Sequence, residues 1–164
     1  LFSDTIKNNI LFGANNNSAT DAEPKECCET ADIYDTIISF EDDFDTILGE
    51  RGVNLSGGQK QRISIARALL RNPKILILDD CLSAVDTETE NRILERLQEK
   101  SSDQTTVIVS HRISTIRNAE KIIVIDQGEM IEEGSHESLL KNKGFYYNMY
   151  QQQLSEESNE MDED

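Results

Sequence analysis

The clearest pattern of apolar and polar residues lies between Asn54 and Asp86, where a helical stretch is followed by an unbroken apolar run. The predicted helix runs through the apolar residues Ile63, Ile65, Ala66, Leu69 and Leu70. We expect this helix to end at Asn72-Pro73, because proline disfavours helical backbone for the residue before it. The run Ile75–Leu78 is typical of a strand buried on both faces of a parallel sheet. A helix followed by such a strand predicts an α/β fold.

Both ends of this region carry residues suited to a phosphorylated ligand. Ser56 and Gln59 have the spacing of a capping box, which would open the helix. Between them, Gly57 and Gly58 let a ligand approach backbone N–H groups at the positive end of the helix dipole. Asp79 and Asp80 follow the apolar run, at the strand edge where open α/β sheets bind ligands. The pattern therefore predicts a phosphate site and a nearby acidic site.

The rest of the chain predicts short alternating elements. We expect a helix over Ser3–Gly13 with Ser3 as its cap, and a polar stretch from Asn15 to Glu29 that begins as a loop. The later elements are a helix over Ala31–Ser39, a helix capped by Asp86, a strand over Thr105–Ser110, a short helix over Arg112–Asn118, a strand over Lys121–Ile125 that turns through Gln127-Gly128 into Met130-Ile131, and a capped helix over Ser135–Lys141. From Gln151 the chain is acidic and nearly without apolar residues, which predicts a disordered tail.

Composition narrows the functional classes. With 164 residues and 37% hydrophobic content, the chain is long enough for one core, and no apolar run reaches the length of a membrane span. A net charge of −16 argues against nucleic-acid binding, which needs clustered Lys and Arg. The three cysteines, two of them adjacent, do not suggest a disulfide framework or a metal site, so a reducing cytoplasm fits best.

Four motifs, in order, carry a resemblance to a known family. Leu55–Arg62 (LSGGQKQR) resembles the signature motif of ATP-binding-cassette (ABC) ATPases, and Leu76–Asp80 (LILDD) resembles their Walker B strand. Ser83–Asp86 (SAVD) resembles the D-loop, and Val109–His111 (VSH) the switch histidine. The resemblance implies part of a P-loop NTPase (RecA-like) fold, with a parallel sheet flanked by helices. It divides the chain into the remainder of the helical subdomain (1–72), the C-terminal half of the ATPase core (73–150) and a disordered tail (151–164).

The resemblance assigns roles to residues on two sides of an ATP molecule. Asp79 would hold Mg²⁺, and Asp80 and His111 would act at the γ-phosphate of the subunit's own nucleotide. The signature residues Ser56, Gly57, Gly58 and Gln59 would cover ATP bound to a second nucleotide-binding domain, and Asp86 would contact that domain across a dimer interface.

Each role has a structural alternative. The aspartate at 79 could be a carboxylate of a strand-end turn, His111 a satisfied core histidine, and Asp86 only a helix cap. Cys81 is expected to pack as a small apolar residue.

Two departures from the family pattern bear on activity. Position 80 holds aspartate where the family usually has glutamate, and a catalytic group misplaced by about 1 Å can cost on the order of a hundredfold in rate. The chain contains no G-x-x-x-x-G-K-[ST] motif, so it lacks a phosphate-cradling loop and its lysine. We therefore expect the 164 residues alone to be inactive, as a segment truncated on its N-terminal side.

The segment Gly49-Glu50-Arg51-Gly52 favours one subclass of the family. By itself it predicts an ordinary glycine-rich turn, but it resembles the X-loop of exporters, which contacts the coupling helices of a transmembrane domain. This implies an ATPase domain that powers export from the cytoplasmic face of a membrane. Aspartate at position 80 beside an intact signature also resembles the asymmetric member of heterodimeric exporters. The alternatives are a soluble ABC ATPase of translation or DNA repair, and a non-catalytic dimerising fragment.

Overall fold

The computed structural model describes residues 1–14, 22–49, 53–100 and 104–161. Its helices are α1 (Ile6–Leu11), α2 (Ala22–Thr30), α3 (Tyr34–Ile38), α4 (Gly57–Leu70), α5 (Thr87–Lys100), α6 (Ile113–Ile116), α7 (His136–Asn142) and α8 (Phe145–Met161). Its strands are β1 (Ile75–Asp79), β2 (Thr105–Val109), β3 (Ile122–Asp126) and β4 (Glu129–Gly134), and a 3₁₀ turn covers Asp43–Asp45. Within the described ranges, none of the helices is both long and apolar enough to cross a bilayer.

These elements form two compact units, Leu1–Val109 and Ser110–Asp164. Unit 1 contains α1 to α5 with β1 and β2, and unit 2 contains α6 to α8 with β3 and β4. The predicted α/β class, with a small parallel sheet and flanking helices, is confirmed. The division of the chain after residue 72 stays a prediction.

In unit 1, β1 and β2 pair in parallel, with Ile75 opposite Thr105 and Asp79 opposite Val109. Leu76 and Leu78 point into the core, where they are 3% and 4% exposed. The prediction that this run is buried on both faces is wrong for the described chain. Ile75 and Ile77 on the other face are 63% and 65% exposed, because the helices of unit 1 pack on one side of the strand only.

The core of unit 1 lies where the helices meet the sheet. Its fully buried aliphatic side chains come from α1, the turn before α3, α3 itself, α4 and α5: Ile6, Ile10, Ile33, Ile37, Ile63, Ile65 and Ile93. The apolar spacing predicted for α4 is confirmed at Ile63, Ile65 and Ala66, all of which are buried. Burial of such side chains is the main source of stability for this unit.

The first three helices differ from the elements predicted for this part of the chain. The cap of α1 is Thr5, not Ser3, because the Thr5 hydroxyl accepts a hydrogen bond from the Asn8 N–H at 3.0 Å. Helix α2 occupies much of the stretch predicted to begin as a loop. Pro24 lies in its first turn, where a backbone N–H has no acceptor within the helix, so the missing N–H of proline costs no hydrogen bond. Helix α3 begins at Tyr34 rather than Ala31, because Asp32 adopts left-handed backbone with φ 54°.

Asp32, in the turn between α2 and α3, forms ion pairs with arginines of two helices, α4 and α5. Its carboxylate lies 3.0 Å from the Arg92 guanidinium and 2.7 Å from that of Arg96, both on α5. Arg62 of α4 lies 4.0 Å from the same carboxylate and also donates to the Asp32 carbonyl. Burial alone would raise the pKa of Asp32, but the hydrogen bonds and charges of Arg92 and Arg96 outweigh it and hold the pKa below its usual value.

Unit 2 is built around an antiparallel hairpin. Strands β3 and β4 pair from Ile122 opposite Gly134 to Asp126 opposite Glu129. The turn residues Gln127 and Gly128 have φ values of 47° and 83°, as a tight two-residue hairpin turn requires. The predicted hairpin is therefore confirmed, as is the helix capped by Ser135, whose hydroxyl accepts from the Ser138 N–H.

Helix α8 differs from the predicted disordered tail, since residues 151–161 continue it to Met161. Its first turns are anchored in the core of unit 2, where Tyr146 is 1% exposed beside Ile113, Ile122, Val124 and Leu139. The following Gln, Leu, Glu and Met residues are strong helix formers, so an anchored helix extends through them despite their polarity.

The Asp32 ion pairs predict a pH-dependent stability. We expect Asp32→Asn to lower the free energy of unfolding by about 2 kcal/mol at neutral pH, because hydrogen bonds to a charged group are lost. Since the folded-state pKa is lowered, this advantage is complete above the unfolded pKa of about 4 and is lost as pH falls through the folded value. Denaturant unfolding at several pH values would measure it, with Asp42→Asn, an exposed position, as control. If the difference in free energy of unfolding between the wild type and Asp32→Asn persisted unchanged down to a pH of about 2, this would contradict the ion-pair explanation.

Candidate functional site

The N-terminus of α4 has the predicted capping box. The Ser56 hydroxyl accepts from the Gln59 N–H at 3.2 Å, and the Gln59 side chain accepts from the Ser56 N–H at 2.8 Å. The Gln59 side chain thus holds the helix opening in place. The N–H groups of Gly57 and Gly58 are the first two of the helix and have no acceptor within it, which suits them to an anion.

Both glycines also lie against the loop that follows β1. A Cβ atom on Gly57 would be 3.3 Å from the Ala84 Cβ, and one on Gly58 would be 2.6 Å from the Ala84 carbonyl oxygen. The second distance is too short for any side chain. Glycine at position 58 is therefore required for close packing as well as for access to a ligand.

Gln61 joins α4 to the same loop and was not singled out from the sequence. Its side-chain oxygen accepts from the Ala84 N–H at 3.0 Å, and its side-chain nitrogen donates to the Ser83 hydroxyl at 3.1 Å. The Ser83 hydroxyl in turn donates to the Asp80 carbonyl at 2.9 Å. A signal was available, since Gln61 follows the two glycines by four and three residues and so shares their helix face.

Asp79 and Asp80 lie where β1 ends, and both are exposed. Asp79 is the last residue of the strand, opposite Val109 on β2. The N–H of Asp80 donates to the Val109 carbonyl at 3.0 Å, and its backbone then turns into the left-handed region with φ 47°. Accessible carboxylate oxygens are the ligands that Mg²⁺ takes in phosphoryl-transfer sites, so this pair fits the predicted ion.

Cys81 follows the two aspartates and packs on the core of unit 1, as predicted. Burial is the main reason that the pKa of its thiol is raised to about 11, and the neighbouring carboxylates Asp80 and Asp79 add to the effect. The thiol is therefore protonated at neutral pH and is not a nucleophile.

Asp86 caps α5, as one of its two predicted roles requires. Its carboxylate accepts from the Thr89 N–H at 2.9 Å, and this hydrogen bond is the main reason that the pKa of Asp86 is lowered. The contact of Asp86 across a dimer interface stays a prediction. The structure thus gathers the helix opening, the strand-end carboxylates and the Ser83–Asp86 loop in unit 1.

His111 belongs to unit 2 and follows Val109 by two residues in the chain. Its side chain is exposed, which contradicts the alternative of a buried core histidine. Its carbonyl accepts from the Gln153 side chain at 2.7 Å. Gln153 is a second residue that sequence analysis missed, because it lies in the polar stretch that predicts a disordered tail.

The predicted X-loop is described only at its first residue. Gly49 has φ 122°, and a Cβ atom there would lie 2.7 Å from the Ser3 hydroxyl, so this position needs glycine. Glu50, Arg51 and Gly52 lie outside the described residues.

Comparison with known proteins gives a consistent family. The family model described as ABC transporter matches residues 3–83. Multidrug resistance protein 1 of Entamoeba histolytica is 49% identical over 158 residues, which are 96% of this chain and 12% of that protein. The ATP-dependent lipid A-core flippase of Syntrophus aciditrophicus is 46% identical over 157 residues, which are 96% of this chain and 26% of that protein.

A solved structure has the same fold. A bacterial Atm1-family ABC exporter with ATP bound superimposes with a TM-score of 0.87 at 44% identity, over 93% of this chain and 27% of its own. The chain therefore spans about a quarter or less of the length of these relatives.

The packing of the two glycines predicts unequal effects of the same substitution. We expect Gly58→Ala to destabilise the protein by about 1–3 kcal/mol, because its methyl group meets the Ala84 carbonyl. Gly57→Ala is the matched control: its contact is longer, and alanine gains up to about 1 kcal/mol in helix propensity. We therefore expect Gly57→Ala to change stability by less than about 1 kcal/mol. Equal free energies of unfolding for the two variants would disprove the packing argument.

Proposed function

The chain belongs to the ABC transporter family, as part of a nucleotide-binding domain of the exporter type, and on that premise we propose that it works in ATP-driven export across a membrane. The observation that carries the proposal is the set of hydrogen bonds from Gln61 to Ser83 and Ala84 in unit 1. There Gln61 ties the signature helix α4 to the loop that follows the strand-end carboxylates. This arrangement supports two ligand-facing groups, a helix opening and an acidic strand edge, with a fixed distance between them.

The two groups serve different nucleotides in the proposed mechanism. Ser56, Gly57 and Gly58 cover the terminal phosphate of ATP bound to a second nucleotide-binding domain, with N–H groups that have no partner within the helix. Gln59 keeps this opening in its helical form through the capping box. Asp86 joins the same dimer interface while it caps α5.

The strand-end carboxylates and His111 serve the nucleotide of this subunit. Asp79 would hold Mg²⁺, and Asp80 would orient the attacking water. His111 donates a hydrogen bond to the γ-phosphate from its exposed position after β2. When bound, Mg²⁺ neutralises charge on the phosphate oxygens.

Asp80 gives the domain an asymmetric role in our proposal. Aspartate is one methylene shorter than the usual glutamate, so the carboxylate does not reach a water placed for the longer side chain. The signature of this chain completes the active site of its partner, while its own site hydrolyses ATP slowly. A heterodimeric exporter, with a partner that carries glutamate, is the assembly that fits this arrangement.

The proposal places the domain at the cytoplasmic face of a membrane. Its contact with the transmembrane coupling helices runs through the region Gly49–Gly52. Gly49, the first residue of this region, has a positive φ and packs on Ser3, which fixes the backbone where the region begins.

Lengthening the side chain at position 80 tests the catalytic assignment. We expect Asp80→Glu in the full-length protein to raise the rate of hydrolysis at this subunit's own site by about tenfold to a hundredfold, because the carboxylate regains its reach to the water. Steady-state phosphate release from an assembly whose partner site has been inactivated measures it. Asp43→Glu is the matched control, since Asp43 is exposed and has the same left-handed backbone, with φ 44°. If Asp80→Glu did not increase phosphate release, this result would count against the proposed role of Asp80.

The missing phosphate-cradling loop makes a second prediction. We expect the 164 residues alone neither to bind ATP nor to hydrolyse it, because no G-x-x-x-x-G-K-[ST] segment is present to hold the β- and γ-phosphates. Calorimetric titration with Mg-ATP measures the binding, with the complete nucleotide-binding domain as positive control. Micromolar binding by the segment would overturn this part of the proposal.

A further inference from the structure

A side chain of the C-terminal helix holds the backbone around His111. Gln153 of α8 accepts a hydrogen bond from the Ile113 N–H at 2.9 Å and donates one to the His111 carbonyl at 2.7 Å. The side-chain amide of Gln153 therefore bridges His111 and Ile113, the two neighbours of Arg112 in the chain. The two contacts join residues that are 40 and 42 positions apart in the chain.

Helix α6 needs such a contact. It has only four residues, and its own cap residue, Arg112, makes no side-chain capping hydrogen bond. Ile113 is its first residue, so its N–H has no acceptor within the helix. Gln153 supplies the missing acceptor from another helix, and with its second hydrogen bond it extends the restraint to His111.

Gln153 is itself held in place by the anchored face of α8. It follows Tyr146, Met149 and Tyr150 by seven, four and three residues, so all four side chains lie on one side of the helix. Tyr146 is fully buried in unit 2, and Met149 and Tyr150 pack against the same core. The position of Gln153 is therefore set by core packing.

The other side of His111 is restrained locally. The Ser110 hydroxyl accepts from the Arg112 N–H at 3.0 Å and bonds the Thr115 hydroxyl at 3.2 Å. Together with Gln153, these contacts fix the backbone before and after His111 while its imidazole stays exposed. The restraint acts on the imidazole through the direction of the Cα–Cβ bond, which the backbone sets.

We propose that Gln153 is a positioning residue for His111, and that the C-terminal helix thereby controls catalysis in this domain. The inference rests on the proposed function, in which His111 contacts the γ-phosphate. Gln153 acts through the His111 backbone and does not itself contact the nucleotide. Loss of its amide leaves the fold of unit 2 in place but lets the 110–113 segment move.

Hydrogen exchange in the nucleotide-free, full-length protein tests the contact without any need for activity. We expect Gln153→Ala to speed amide exchange in the segment 110–117 by about fivefold or more, because the Ile113 N–H loses its acceptor. Gln151→Ala is the matched control, an exposed glutamine two residues earlier on the same helix, and should leave this exchange unchanged. Unchanged exchange in Gln153→Ala would overturn the inference.

Kinetics test whether the contact matters for catalysis. With the partner site inactivated, we expect Gln153→Ala to lower kcat at this subunit's own site by about tenfold with KM for ATP changed less than about twofold, both in the wild type and in the more active Asp80→Glu background. In a His111→Ala background, the same substitution should add less than about twofold, since the two residues act as one unit. If the role of Gln153 were merely structural, Gln153→Ala would lower the melting temperature and would reduce activity by the same factor with His111 present and in the His111→Ala background. That result, or faster exchange with unchanged kcat, would overturn the proposal.

Gln153→Glu separates the two hydrogen bonds. A carboxylate can still accept from the Ile113 N–H but cannot donate to the His111 carbonyl, so we expect normal exchange at Ile113 together with reduced kcat. Wild-type kcat in this variant would overturn the role of the His111 contact. Failure of the proposed function would give a different result. Neither the wild type nor Asp80→Glu would hydrolyse ATP, and His111→Ala would have no effect.

Discussion

The arrangement of the site depends on the close approach between the opening of α4 and the loop after β1. Gly58 lies so near the Ala84 carbonyl that no side chain fits between them, and the Gln61 amide bonds Ser83 and Ala84 from the same helix face. Each of these hydrogen bonds contributes about 0.5–1.5 kcal/mol, so their larger effect is geometric. They fix the helix opening relative to the strand end that carries Asp79 and Asp80.

Arginine side chains carry much of the remaining organisation of unit 1. Arg62, Arg92 and Arg96 converge on Asp32, and Arg67 donates to the Asn9 carbonyl at 2.8 Å while its guanidinium lies near the rings of Phe2 and Phe12. These four arginines are a quarter of the 16 basic residues of a chain with net charge −16. They bind elements of the protein to each other.

Local spacing predicted those features whose partners lie within a few residues. The capping box of Ser56 and Gln59, the cap formed by Asp86 and the hairpin turn at Gln127-Gly128 all follow from such patterns. The sequence could not show Gln61 bonding a loop 22 or 23 residues away, or Gln153 bonding residues 40 or more positions earlier. Side chains with distant partners leave no periodic signal. The prediction of disorder for residues 151–161, made from composition, was wrong as well, because composition contains no information on whether the preceding helical turns are anchored in a core.

The left-handed backbone at Asp80 affects how this position should be probed. With φ 47° at a residue that has a Cβ, the main chain is in a region that aspartate and asparagine tolerate better than most other residues. An alanine here would remove the carboxylate and strain the turn at the same time, and the two losses would be indistinguishable. Asparagine keeps the shape and the conformational preference and changes only the charge, so it is the clean electrostatic probe of this carboxylate.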